Sequence, residues 1–363
     1  MDQPREPGPC VIEGMPYHFL RAPHYNDNSL GRLRNIAVFA SRLAASGREL
    51  LANHGRPDAI IFSSPTPYGF LAAHSLSKRY RAECIFEVRD LWPSSLVELC
   101  GMSALHPMVI ATGWLERFAY GKADKVVSLL PGTLEHMKKA GLNPRKWHHV
   151  PNGIEPQERE VGSQEHECFK LVRQWREAGC FVVVYAGALG RPNNVQSLIL
   201  GLQKAKPTGA KIKVIIIGRG ELKDQLRALI EELSLSDDIA MFEQIPKLTV
   251  RKLLGMCSAG YISLKPAPLL RFGVSPNKLF DYMLAGLPVV FALRTERDIV
   301  ADAECGLSAD PADPAGIGGA LAKLAGMLPA EREQMGRNGR SYVMEGHSYA
   351  SLAEKYAKLM GFV

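Results

Sequence analysis

The chain has 363 residues, 46% hydrophobic and 22% charged, with a formal charge of +7 and a pI near 9.0. That is the balance of a soluble globular protein with room for two domains of ordinary size. No apolar run reaches membrane-span length, the polar Pro-rich start Met1–Pro9 has no signal-peptide core, and the seven cysteines show no CxxC, which argues against a disulfide framework or a zinc site.

In chain order, Ser29–Asn53 reads as a long helix, Asp58–Ser63 as a strand, and Tyr68–Tyr80 as a helix. Cys84–Val88 is a strand ending in Arg89-Asp90, and His106–Lys122 is helical. A strand at Lys125–Leu130, a helix at Gly132–Ala140 and a short strand at Trp147–Val150 close the first series. Ile154–Glu167 is polar, acidic and without periodicity, and reads as the linker between domains. The second series begins with Phe181–Ala186, a continuous apolar strand of the kind buried on both faces. It runs into Gly187–Asn194 and a helix to Lys206; Lys213–Ile217 then ends in Gly218-Arg-Gly-Glu221 and a helix to Leu233. Strand Ile239–Phe242, helix Leu248–Cys257, strand Gly260–Leu264 and strand Leu287–Phe291 follow. A further strand–helix pair spans Asp298 to Leu324, and helices Glu331–Met344 and Ser348–Met360 finish the chain. Strands alternating with helices predict an α/β protein with two parallel sheets: residues 1–155, then 168–345, with a terminal helix at 346–363 that can cross back to the first domain.

The basic excess is spread evenly, +4 up to Glu155 and +3 beyond it. It suits anionic partners: nucleotide phosphates, or a lipid-phosphate surface met as a peripheral contact. No nucleic-acid module or aromatic–basic signature is present, so nucleic acid is not an expected partner. Unpatterned cysteines fit a reducing cytoplasm, with the inner face of the plasma membrane as the place of any lipid contact.

In open parallel sheets, ligands bind outside the carboxyl ends of the strands. The polar and glycine positions fall at four such ends: Arg89-Asp90, Gly187–Asn194, Gly218–Gly220 and Arg271–Lys278. The densest is Gly273–Val290. Ser275 before Pro276 reads as a helix N-cap whose free N–H groups favour an anion. Lys278 adds a point charge for a phosphate, and Asp281, three residues on, suits the paired hydroxyls of a ribose. The plainer alternative is a capped helix with a solvated Lys and Asp, and each glycine loop can equally be a tight strand-to-helix turn.

These segments resemble glycosyltransferase family 4. The resemblance is carried by Pro151-Asn-Gly-Ile154, Tyr185-Ala-Gly-Ala-Leu-Gly190, Ile217-Gly-Arg-Gly-Glu221, Ser275-Pro-Asn-Lys-Leu-Phe-Asp-Tyr-Met283 and Ala285-Gly-Leu-Pro-Val-Val290. Closer still is the bacterial surface-polysaccharide subgroup of fucosamine-transferase-like proteins. Its marks here are Arg32-Leu-Arg-Asn35 with Phe39, Ser63-Ser-Pro65, Glu87-Val-Arg-Asp-Leu-Trp-Pro93, and Leu115-Glu116 with Tyr120 and Ala123-Asp124. The likeness runs from about Tyr25 to the C-terminus. It implies two facing Rossmann-like domains, the B-type glycosyltransferase fold. It also implies transfer of a sugar from a nucleotide-diphosphate donor to a glycan or polyprenyl-linked acceptor, with retention and without a required metal or cofactor.

By the same resemblance the donor-binding residues are Gly187, Gly190, Arg191, Arg219, Ser275, Asn277, Lys278 and Asp281. Arg89, Asp90 and Lys278 are the catalytic candidates, Asp90 orienting or deprotonating the acceptor hydroxyl; the plainer alternative has Asp90 pairing with Arg89 and capping a turn. Three departures stand out. The first acid of the family's spaced pair falls on Gly273. The places of a diphosphate-gripping Arg and Lys look like Ala188 and Asn193 or Asn194, so that Arg191, Arg219 or Lys278 must substitute. Relatives also open with a strand, a Gly-rich loop and a helix ahead of the match, so the first domain is expected to lack its usual first strand and glycine loop. That motivates a second reading, a catalytically silent donor-binding subunit; a nucleotide-sugar epimerase is a third.

Overall fold

The structure is a computed structural model and describes residues 6–24, 30–64, 66–156 and 166–362. The chain divides into two compact units, Met1–Val150 and Pro151–Val363.

Unit 1 opens with a hairpin where the sequence suggests only a leader: β1 (Gly8–Ile12) pairs antiparallel with β2 (Met15–Phe19). Its two-residue turn has φ 53° at Glu13 and φ 82° at Gly14, the double positive φ that matches the twist of a hairpin. Then come α1 (Leu30–His54), β3 (Ala59–Ser64), α2 (Phe70–Tyr80), β4 (Glu83–Val88), α3 (Ser94–Glu98), α4 (Pro107–Lys122), β5 (Lys125–Ser128), α5 (Leu134–Lys139) and β6 (Trp147–His149). The four later strands form a parallel sheet in the order β3-β4-β5-β6. Every crossover steps the same way, and right-handed crossovers then place α2, α4 and α5 on one face. On that face Phe86 of β4 meets Phe70 of α2 at 5.0 Å and Tyr120 of α4 at 6.1 Å between ring centroids.

Unit 2 contains α6 (Glu167–Glu177), β7 (Phe181–Ala186), α7 (Gln196–Ala205), β8 (Ile212–Ile217), α8 (Lys223–Glu232), β9 (Ile239–Phe242), α9 (Lys247–Leu254), β10 (Ala259–Ser263), α10 (Asn277–Leu284), β11 (Val289–Ala292), α11 (Ile299–Asp302), β12 (Gly306–Ala309), α12 (Pro314–Gly326), α13 (Pro329–Gly346) and α14 (Tyr349–Met360). Its six parallel strands run β12-β11-β10-β7-β8-β9. This is the doubly wound order, with the switch of direction between β7 and β10. Along β7, Val182 and Val184 join the core under α6, α9 and α10, while Val183 and Tyr185 join the one under α7, α8 and α12. Both faces are therefore dry, as the unbroken apolar run predicts, and each such buried side chain stabilises the fold by roughly 1.5–3 kcal/mol.

Two linker expectations change. Ile154 is not linker but anchored core: its side chain is buried, its N–H donates to the His347 carbonyl at 2.8 Å, and Tyr349 N–H donates to its carbonyl at 3.1 Å. At the other end Glu167 already begins α6, a helix hidden by its polarity. Cys168, Phe169 and Val172 face the core in helical spacing, and His166 caps the start. Residues 157–165 of the expected linker lie outside the described residues.

Candidate donor-binding site

The site lies at the carboxyl ends of β7, β8 and β9, next to the switch point, where the sequence placed its glycine loops. A cavity of about 530 Å³ opens there, within the range of small-molecule sites. Gly187, Arg219, Asn277, Lys278 and Asp281 line it, together with Gly218 and Lys247.

Two loops make its floor. The loop after β7 is stitched to the loop after β8 by Gly187 N–H to the Ile217 carbonyl and Leu189 N–H to the Arg219 carbonyl, both 2.9 Å. This close approach explains Gly218: a Cβ there would sit 1.9 Å from the Gly187 carbonyl oxygen. The glycine is required by packing between loops rather than by contact with a ligand. Gly218→Ala is expected to force the loops apart, destabilise the protein by about 2–3 kcal/mol and weaken ligand binding. Thermal melts compared with ligand titration check this, and an unchanged melting temperature would contradict it.

Lys278, in the first turn of α10, reaches back across the floor. Its Nζ donates to Asn193 Oδ1 at 2.8 Å and to the Tyr185 hydroxyl at 3.1 Å, and lies 4.6 Å from the centroid of the Tyr185 ring. With no carboxylate among these partners, burial pushes the ammonium down to about 8. Tyr185 in turn donates to the Ala188 carbonyl at 2.7 Å. Gly187 leaves room for the lysine, since a Cβ there would come within 3.1 Å of its Nζ. Asn193 is one of the places where the family pattern puts a basic group, and Lys278 brings its charge to that asparagine. Of the three cations offered as substitutes, Lys278 and Arg219 line the cavity. Arg191 does not; its side chain is exposed and pairs with Glu221 at 3.7 Å.

Asp281 sits one turn further along α10. Its Oδ1 lies 3.4 Å from Arg251 Nε and 3.7 Å from Lys247 Nζ, both from α9. It is therefore neither solvated nor isolated but held by two cations at the cavity wall. The sequence reading missed Lys247 and Arg251; thirty residues separate Arg251 from its partner, and nothing in a single sequence marks a pair at that distance. The buried Tyr282 beside it accepts the Ala186 N–H at 2.9 Å and locks α10 onto the end of β7.

Ser275 has a different job from the expected one. Pro276 occupies the N-cap position of α10 and the side chain of Ser275 makes no cap. Instead Ser275 Oγ accepts the Asn152 N–H at 3.0 Å, and its carbonyl accepts the Asn152 side-chain amide at 2.7 Å. It ties the Pro151–Ile154 segment to the start of α10 and does not line the cavity. Nor does Gly190, whose backbone is extended at φ −104° and which needs no glycine. Gly273, the place of the family's first acid, has φ 93°, a conformation that a Glu would adopt only under strain. In unit 1, Arg89 and Asp90 are both exposed in the bend after β4. Among the described residues no cluster of His, Cys, Asp and Glu is arranged to hold a metal ion.

Residues 2–153 match the model of the glycosyl transferase 4-like domain, and residues 172–342 match that of the glycosyl transferases group 1. A Campylobacter jejuni protein, N-acetylgalactosamine-N,N'-diacetylbacillosaminyl-diphospho-undecaprenol 4-alpha-N-acetylgalactosaminyltransferase, is 24% identical over 62% of this chain. The match spans only 55% of that relative's length. Among solved structures, HepE of Anabaena in complex with UDP superposes with a TM-score of 0.66 at 15% identity, covering 93% of this chain and 85% of that one. WaaG, a glycosyltransferase involved in lipopolysaccharide biosynthesis, gives a TM-score of 0.64 at 18% identity over 94% and 86%. The two family models span both units, the solved structures share the fold of two Rossmann-like domains, and the chain belongs to the family-4 type of glycosyltransferases with the B-type fold.

Proposed function

We propose that the chain transfers a sugar from a nucleoside-diphosphate donor to a lipid-linked or glycan acceptor in surface-polysaccharide synthesis. The observation that carries this is the placement of Lys278 and Asp281 one turn apart on α10, each held by its own partners, at the wall of a cavity of about 530 Å³ lined by two glycine loops. Lys278, Arg219 and the N-terminal N–H groups of α10 supply positive charge for a diphosphate. Asp281, held in place by Arg251, accepts hydrogen bonds from the two ribose hydroxyls.

In the transfer, the bond from the anomeric carbon to the diphosphate oxygen breaks, and the nucleoside diphosphate leaves with the electron pair. The acceptor oxygen forms the new bond and gives up its proton, for which the Asp90 carboxylate, next to Arg89, is the candidate base. Charge growing on the leaving phosphate is met by Lys278 and Arg219. The acceptor class rests on the Campylobacter relative, whose name specifies a diphospho-undecaprenol substrate.

Asp281→Asn keeps the shape of the side chain and removes the charge that Arg251 and the ribose share. It is expected to weaken nucleoside-diphosphate binding by about tenfold or more, the scale of one charge-assisted hydrogen bond. Calorimetric titration of a panel of nucleoside diphosphates checks this. Wild-type affinity in the folded variant would remove Asp281 from the site.

A further inference from the structure

We propose that unit 1 rests on an anionic lipid surface through the loop ahead of α4 and the outward ridges of α4 and α2. Between Glu98 and Glu116 the sequence contains no Asp, Glu, Lys or Arg. Such a stretch would normally be core, yet much of it faces outward: Leu99 is 61% exposed, Leu105 83%, Ile110 58% and Trp114 63%. The inward side of α4 is already satisfied, with Val109, Thr112, Leu115 and Ala119 buried. Ile110 and Trp114 lie four residues apart and form a second apolar ridge on the opposite side. Trp114 stacks on Phe118 at 5.7 Å, and Phe118 meets His74 of α2 edge-on at 5.7 Å. The ridge thus continues onto α2, where Leu71 is also exposed.

Charge chooses the occupant. From Phe70 to Arg81 and from Leu99 to Lys122, the charged residues are Lys78, Arg79, Arg81, Arg117, Lys122 and Glu116. The five cations are exposed. Glu116 is buried and accepts the Tyr120 hydroxyl at 2.9 Å. The charge shown outward by these segments is therefore entirely positive. A second copy of the chain would set these cations against one another. An anionic headgroup layer meets both demands: it attracts the basic side chains and accepts Trp114 and Leu105 at its apolar boundary. Among the described residues no helix is long and apolar enough to cross a membrane, so the contact is a seating on the surface. It rests on the proposed function only in that a lipid-linked acceptor would be met at this surface.

Flotation with vesicles tests it without any donor. Wild-type chain is expected to float with phosphatidylcholine–phosphatidylglycerol vesicles and roughly tenfold less with phosphatidylcholine alone, the difference shrinking with salt. The triple variant Leu105→Glu, Ile110→Glu, Trp114→Glu should lose flotation at least about tenfold. Arg117→Gln with Lys122→Gln should lose the preference for phosphatidylglycerol. All five positions are exposed, so melting temperature and nucleoside-diphosphate affinity should stay at wild-type values. That control separates failure of this surface from failure of the donor site. Flotation of the folded triple variant like wild type, or no flotation of wild type, overturns the proposal. So does a wild-type dimer, seen by sedimentation without lipid, that the triple variant dissociates.

Discussion

Lys278→Ala is expected to lower kcat/KM for sugar transfer by about 10²–10³, the usual loss when one preorganised charge is removed from a leaving group. The reason is its placement: the lysine is carried on α10, half-buried against the Tyr185 ring, and held by Asn193 Oδ1 at 2.8 Å. Its depressed value of about 8 adds a pH signature. Only the ammonium binds a diphosphate well, so affinity is full below pH 8 and falls by up to about tenfold per pH unit above it. Donor binding in that range takes up a proton. Stability moves the opposite way. The unfolded chain keeps its lysine proton up to about pH 10.4, so between pH 8 and that value the unfolded state binds more protons and the free protein gains stability as pH rises. Lys278→Arg, charged throughout, should bind donor without the alkaline fall. Calorimetry from pH 7 to 9.5 with the best-bound nucleoside diphosphate is the measurement. An affinity flat across that range in the wild type would show that Lys278 does not face the diphosphate.

The second large effect is on stability and lies in unit 1. Glu116 is buried inside α4, and burial raises its carboxyl to about 7 against the opposing effects of the Tyr120 hydroxyl and Arg117. An unfolded glutamate ionises near pH 4.3, so between that pH and 7 the folded state holds the extra proton. Stability from this group is therefore full at low pH and lost as pH rises through 7. Glu116→Gln keeps an acceptor for Tyr120 and never ionises. It is expected to match wild type near pH 4, and to exceed it by about 1 kcal/mol at pH 5 and by about 3 kcal/mol at pH 8. Glu116→Ala should instead cost about 2–3 kcal/mol at either pH, because it orphans the fully buried Tyr120 hydroxyl. Denaturant melts of the three proteins at the two pH values decide. A glutamine variant less stable than wild type at pH 8 would show that the carboxylate is stabilised by its surroundings.

Local sequence was enough to read the series of strands and helices, the parallel sheets they build and the helix that carries Lys278 and Asp281. Those features rest on near-neighbour physics: β7 announces itself by an unbroken apolar run, α10 by helical spacing after a proline, the strand ends by glycine and polar residues. Where polarity masked the period, as in α6, or a hairpin lay among prolines, as in β1 and β2, local reading gave out.

What each of those residues touches is set by the folded chain. It gave Asp281 its cations from α9, sent Ser275 to Asn152 instead of to a cap, and took Arg191 and Gly190 away from the cavity. It gave Gly218 its reason, the close packing of two loops. It also turned the apolar ridge of α4 outward. Periodicity fixes which residues share a helix face, but whether that face meets core or solvent depends on segments far away in the chain. A single sequence contains both partners of every such contact and nothing that says they meet.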